Sequence, residues 1–157
     1  MRKNNEVLIN ELLIQNYEKY YRIAFGYVHN GTDAMDIVQE GAYKAIYHSD
    51  KLKKQEYADT WICRIMINEA MEFFRKQNVD YADMEVLDVG REEEYEDVDL
   101  QKAIDRLSPE EKKVVLLRYF EDMSLNQVAE IAGENLNTVK SRLYRALDKL
   151  KLSLGDA

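Results

Sequence analysis

Within residues 137–151, NTVKSRLYRALDKLK, five Lys or Arg stand against one Asp. At about 100° per residue, Thr138, Ser141, Arg142, Arg145 and Lys149 gather on one side of a helix. Val139, Leu143, Ala146, Leu147, Leu150 and Leu154 gather on the other. Hydroxyl, ammonium and guanidinium groups on one face donate hydrogen bonds to phosphate oxygens and to the acceptor edge of guanine. A solvated surface helix has the same composition, so the residues alone leave both readings open. A second set has the opposite sign. Asp33, Asp36 and Glu40, in DAMDIVQE, fall at i, i+3 and i+7 and share a helix face, while Ala34, Ile37, Val38, Gly41 and Ala45 lie around the other. Such carboxylates suit a basic partner, and equally they favour the positive end of the helix dipole. A third set is the basic loop DKLKKQEY, with Lys51, Lys53 and Lys54, before a helix that carries Arg64, Asn68, Arg75 and Lys76.

None of these sets is catalytic. His29 and His48 are isolated, and no HExxH, GxSxG or phosphate-cradling GxxxxGKS/T stretch occurs. DAMD has the form of a carboxylate pair for a metal, but no matching acidic helix or His ligand accompanies it, so no metal, cofactor or catalytic residue is expected. Cys63 is the only cysteine, which excludes an internal disulfide, and its neighbours TWICRIMIN suit a buried, inert thiol.

The elements that must position these groups are helical. Apolar residues at Val7, Leu8, Leu12, Leu13, Tyr20, Tyr21, Ala24, Phe25 and Val28 predict an amphipathic helix over 4–29. NGT at 30–32 ends it, with Thr32 capping a second helix that runs to about Ser49. A third pattern, Ala58 to Phe74, ends near Gln77, with Trp61 as a core anchor. In LSPEEKKVVLLRYF, Ser108 is the predicted cap, Pro109 the first helical residue and Glu111 the closing member of a capping box. Two more helices follow over 124–154 with helix-turn-helix spacing. Ala129 is small at their crossing, Gly133 supplies the turn, and Val128 and Val139 flank it. No run alternates with period two for long enough to predict a sheet.

Charge separates the chain further. The formal net charge is -8, yet residues 80–99 hold ten Asp or Glu against one Arg. Residues 1–79 are balanced at eleven of each sign, and 100–157 carry ten basic against nine acidic. The predicted architecture is therefore all-α, with two small helical domains, 1–78 and 100–157, joined by an acidic linker at 79–99. Extended, such a linker reaches about 70 Å at about 3.3 Å per residue, enough to separate DNA sites about a turn and a half apart at ~35 Å per turn. Without a long apolar run or a signal-peptide core, the chain is expected to be soluble and cytoplasmic, with no direct membrane insertion.

At this point the sequence resembles a known family. LSPEEKKVVLLRYFEDMSLNQVAEIAGENLNTVKSRLYRALDKLK is similar to the C-terminal, minus-35-reading domain (region 4) of extracytoplasmic-function sigma factors of bacterial RNA polymerase. Independently, YYRIAFGYVHNGTDAMDIVQEGAYKAIY and TWICRIMINEAMEFFRK resemble their N-terminal domain (region 2). The match covers about four-fifths of the chain, in the family's order. The resemblance implies a factor that binds core polymerase and promoter DNA and directs promoter recognition and opening without itself being an enzyme. Asn137, Thr138, Lys140, Ser141, Arg142 and Arg145 would meet the minus-35 element. Lys53, Lys54, Arg64, Asn68, Arg75 and Lys76 would meet the minus-10 element and hold an unstacked base. Asp33, Asp36, Gln39 and Glu40 would dock on the β′ clamp helices, with the β subunit as a further contact. An anti-sigma factor is an implied partner, and the acidic linker would thread channels built for nucleic acid.

This sequence departs from the family pattern at three places. Glu134 follows the turn glycine where an apolar residue is usual, Asn135 stands where proline is frequent, and Asn137 replaces a common glycine while keeping the capacity to cap. The alternative is a stand-alone helix-turn-helix transcriptional regulator, which would bind an operator tightly without polymerase.

Overall fold

The computed structural model describes the backbone of residues 2–84 and 95–153 and the side chains of 4–77, 100–119 and 121–151. Among the described residues every regular element is helical. The chain divides into two compact units, the first reaching Phe74 and the second built on Arg75–Ala129 and Gly133 onward.

In the first unit, α1 (Arg2–Gln15) and α2 (Tyr17–Val28) replace the single helix expected over 4–29. The break is Asn16, whose backbone leaves helical geometry at φ -107°, ψ 23°. Its side-chain amide donates to Asp59 Oδ1 at 3.2 Å, beside the Tyr20 hydroxyl at 2.6 Å and the Lys19 ammonium on Oδ2 at 2.5 Å. Asp59 lies in the first turn of α4 (Ala58–Met84), where a carboxylate also meets the helix dipole, so one side chain fastens α2 to the start of α4. Burial, and then the neighbouring Asp59 carboxylate, hold the Tyr20 phenol neutral well above its ordinary range.

The turn before α3 (Gly31–Tyr47) differs from expectation in the residues it uses. His29, not Asn30 or Gly31, takes the left-handed conformation (φ 54°), and Asn30, not Thr32, caps α3 by accepting from the Asp33 N–H at 2.9 Å. Ala34, Ile37, Val38, Gly41 and Ala45 all face inward as expected. At Gly41 the approach to α4 is so close that a Cβ would stand 2.5 Å from Met66 Sδ. Single 3-10 turns at Ser49–Lys51 and Gln55–Tyr57 shape the basic loop. Cys63 is buried, while Trp61, expected as a core anchor, is only half-buried; Val7 and Phe25 are exposed.

α4 does not end near Gln77 but continues to Met84, and an unexpected helix, α5 (Tyr95–Asp105), begins inside the acidic segment. A helix rises only about 1.5 Å per residue, so the reach of about 70 Å for a fully extended 79–99 does not hold. Residues 85–94 lie outside the described residues, and so does Leu154.

The second unit packs α5 and α6 (Pro109–Val115) against the last helix, α8 (Leu136–Ser153). The capping box at α6 forms as expected: Ser108 Oγ accepts from the Glu111 N–H at 3.2 Å, and Glu111 Oε1 accepts from the Ser108 N–H at 3.1 Å. Ala103, Ile104 and Leu107 fill the space beneath, and the buried Lys112 ammonium reaches back to Asp105 at 2.7 Å. Burial pushes the Lys112 pKa down and the Asp105 charge opposes it, with burial prevailing. After Val115 the helix widens into one π-helical turn, Leu116–Phe120, closed by the Glu121 N–H on Leu116 O at 3.1 Å.

Candidate nucleic-acid interfaces and acidic docking face

The helix-turn-helix pair consists of α7 (Leu125–Ala132) and α8. α7 opens with a reciprocal cap that the S-x-x-Q spacing signals: the Ser124 N–H donates to Gln127 Oε1 at 2.9 Å, and the Gln127 N–H to Ser124 Oγ at 3.1 Å. Gly133 makes the turn at φ 73°, where a β-carbon is disfavoured, and its N–H meets Ala129 O at 2.9 Å. The cap of α8 is Asn135, which accepts from the Thr138 N–H at 2.9 Å, so Asn137 lies within the first turn and does not cap. Asn thus supplies a side-chain acceptor where the resemblance leads one to expect proline. Val128, Val139 and Ala146 are wholly buried, which fixes the rotation of α8.

With that rotation set, Asn137, Lys140, Ser141 and Arg145 are exposed and Thr138 is half-buried. Arg142 is also half-buried, because its guanidinium is ion-paired with Glu134. Lys149, grouped by periodicity with the donor face, instead holds Glu111 through both carboxylate oxygens, at 2.9 and 3.0 Å. It clamps α8 to α6. Burial alone would push the Glu111 carboxyl up; the Lys149 ammonium and the Ser108 N–H and hydroxyl together outweigh it, and the pKa lies below the ordinary value. Tyr144, 63% exposed, was not singled out from sequence, although it stands seven residues from Asn137 on the same helical row.

In the first unit Lys53, Lys54, Arg64, Asn68, Arg75 and Lys76 are all exposed. Lys51, Lys53, Lys54, Tyr57 and Arg64 are exposed and Trp61 is half-buried, so cations and aromatic groups share this part of the unit. Arg64, Asn68 and Arg75 follow one line along α4, while Lys76 is turned about 100° from it. Glu69 points elsewhere, onto α3, where it accepts from Lys44 and holds that ammonium above its ordinary pKa. The acidic stripe on α3 places Asp36, Gln39 and Glu40 on the exposed side and Asp33 half-buried in the first turn. Sequence reasoning missed what extends it: Met35, Tyr43 and Tyr47 are also exposed, and the two Tyr rings stack at 5.9 Å between centroids. The i+4 step from Gln39 to Tyr43 and on to Tyr47 was the available signal.

Among the described residues, no three of His, Cys, Asp and Glu gather as a metal ion would need, and no helix is long and apolar enough to cross a membrane.

Two family models match the chain. The model for sigma-70 region 2 matches residues 12–79, and that for sigma-70 region 4 matches 97–150. The RNA polymerase sigma factor SigV of Bacillus subtilis is 39% identical over 157 residues, covering 98% of this chain and 95% of that protein. An RNA polymerase sigma-E factor of Streptomyces antibioticus is 30% identical over 155 residues, covering 95% and 86%. Among solved structures, the sigma factor RpoE in complex with the anti-sigma factor NepR from Bartonella quintana has a similar fold, with a TM-score of 0.68 at 22% identity over 94% of this chain and 98% of that one. CnrH, in complex with the cytosolic domain of CnrY, has a TM-score of 0.67 at 20% identity over 95% and 89%.

Proposed function

This chain belongs to the sigma-70 family of RNA polymerase sigma factors, in its extracytoplasmic-function group, and from that premise we infer how its surfaces divide the work of initiation. As a sigma factor it directs promoter recognition, promoter opening and transcription initiation. It acts in the cytoplasm and leaves phosphodiester chemistry to the polymerase. The domain of 1–78 docks on core polymerase and engages the minus-10 element, and that of 100–157 reads the minus-35 element.

Within that division, Asn137, Thr138, Lys140, Ser141, Arg142 and Arg145 face the major groove. Lys53, Lys54, Arg64, Asn68, Arg75 and Lys76 hold the opened minus-10 strand, where cations follow the backbone and aromatic groups offer stacking faces. Asp33, Asp36, Gln39 and Glu40 form the docking stripe for basic helices of the large subunit. The observation that carries the reading is the joint occurrence, in order, of both region models with a helix-turn-helix whose apolar face is buried and whose donor face is exposed. RpoE and CnrH are each seen bound to a second protein, NepR and the cytosolic domain of CnrY. An anti-sigma factor is accordingly the proposed regulator here. The alternative of a stand-alone regulator has no observation in its favour.

The test is size-exclusion co-elution with sigma-free core polymerase from Bacillus subtilis. The chain is expected to co-elute, and Asp36→Lys, which reverses a charge at an exposed position without touching the core, is expected to elute alone. Co-elution of both proteins in equal amount would overturn the docking face; binding by neither would overturn the polymerase reading.

A further inference from the structure

We propose that Asn5, on α1 and ahead of the stretch matched by the region 2 model, is a positioning residue for the basic loop that holds opened promoter DNA. The inference rests on the loop assignment above and adds a residue to it.

Asn5 is a buried polar side chain, 5% exposed, on a helix whose other inward residues are apolar, as at the wholly buried Ile9. Its Nδ2 donates to Ser49 O at 2.8 Å and to Leu52 O at 3.2 Å, and its Oδ1 accepts from Gln55 Nε2 at 3.1 Å. Two carbonyls on one side fix which end of the amide carries the hydrogens, so all three contacts belong to one orientation. Each crosses more than forty positions of sequence to a single stretch, 49–55. Between those anchor points Lys51, Lys53 and Lys54 project outward.

The loop's own backbone adds little rigidity. Its own backbone bonds are single turns, from the Lys51 N–H to His48 O, from Leu52 to Ser49 and from Tyr57 to Lys54. Within 49–55 only Ser49 and Leu52 are buried. A helix packing here needs only an apolar residue of similar size. An amide with both N–H groups and its oxygen engaged has a different consequence: it sets the direction of two loop carbonyls, and with them the arc along which the ammonium groups are offered. Cations arranged in advance lose less conformational freedom when a strand arrives.

The experiment uses holoenzyme reconstituted from Bacillus subtilis core polymerase and a promoter selected from random duplex DNA by the wild-type holoenzyme. Opening is read as permanganate reactivity of thymines in the melted segment, and polymerase binding is read separately by co-elution. Asn5→Leu keeps size and removes every polar contact; Ile9→Val, in the same helix, controls for loosened packing. Asn5→Leu is expected to slow opening about fivefold or more, a modest share of what a misplaced group costs, with co-elution unchanged and Ile9→Val opening at the wild-type rate. Wild-type opening by Asn5→Leu, while Lys53→Ala/Lys54→Ala loses it, would overturn the positioning role. Wild-type opening by the double lysine variant would overturn the loop assignment instead. Should Asn5→Leu fail to fold, Gln55→Ala at the exposed end of the network takes its place. Slowing by about twofold is then expected, and wild-type opening would overturn the proposal.

Discussion

The proposed minus-35 role sets two partners in competition for Arg142. In the free chain its guanidinium is paired with Glu134, a residue that departs from the family's usual apolar type. A partly exposed pair is worth about 0–1 kcal/mol, whereas a bidentate contact to guanine discriminates by about 1–3 kcal/mol, so under the proposed minus-35 role the correct base would draw Arg142 away from Glu134. Arg142→Ala and Arg145→Ala are each expected to weaken promoter binding by the holoenzyme by about 1–3 kcal/mol and to lower the salt slope by about one where a phosphate contact is lost. Gel shifts over a salt series read both quantities, with co-elution on core polymerase unchanged. Wild-type affinity and transcription in both variants would remove α8 from minus-35 reading. Periodicity in the sequence disclosed which face of α8 carries donors, because burial of Val139 and Ala146 sets that face. It could not disclose that Lys149 is committed to Glu111 and Arg142 to Glu134, since those partners come from a different helix and from the turn.

At the scale of elements, the join between α6 and α8 runs through Glu111. This carboxylate closes the capping box and receives Lys149. With its folded pKa below the ordinary 4.5, its contribution to stability is complete above about pH 4.5 and is lost as the pH falls through the depressed folded value. Glu111→Gln is expected to cost about 1–2 kcal/mol near neutral pH. The gap in melting temperature between the two proteins should close below about pH 4.5, as calorimetry across a pH series would record; parallel curves down to acid pH would contradict the assignment. The start of α6 was legible because Ser108, Pro109 and Glu111 act within one turn. The break at Asn16 was not, because it depends on Asp59, forty-three positions away. α5 was hidden for another reason: Ala103, Ile104 and Leu107 are spaced as on a helix, but they follow a run of acids whose charge outweighed their signal.

Across the whole molecule, the acidity and the donor-rich helix no longer conflict. Ten of the thirty Asp and Glu lie in residues 80–99, and the flanking domains are close to neutral. A near-neutral helix-turn-helix domain lacks the strong electrostatic attraction of a self-sufficient DNA binder, since neutralised phosphates dominate non-specific affinity. On the proposed division of roles, promoter binding would depend on polymerase to present both domains at once, since linking two weak sites in one particle raises avidity without a new contact. The most direct measurement is mapping of RNA 5′ ends made by sigma-free core polymerase on a library of genomic fragments from the source organism, with and without this chain. A set of discrete new start sites that appears only with the chain is the expected result. Tight duplex binding by the chain alone, with no new 5′ ends, would contradict the account.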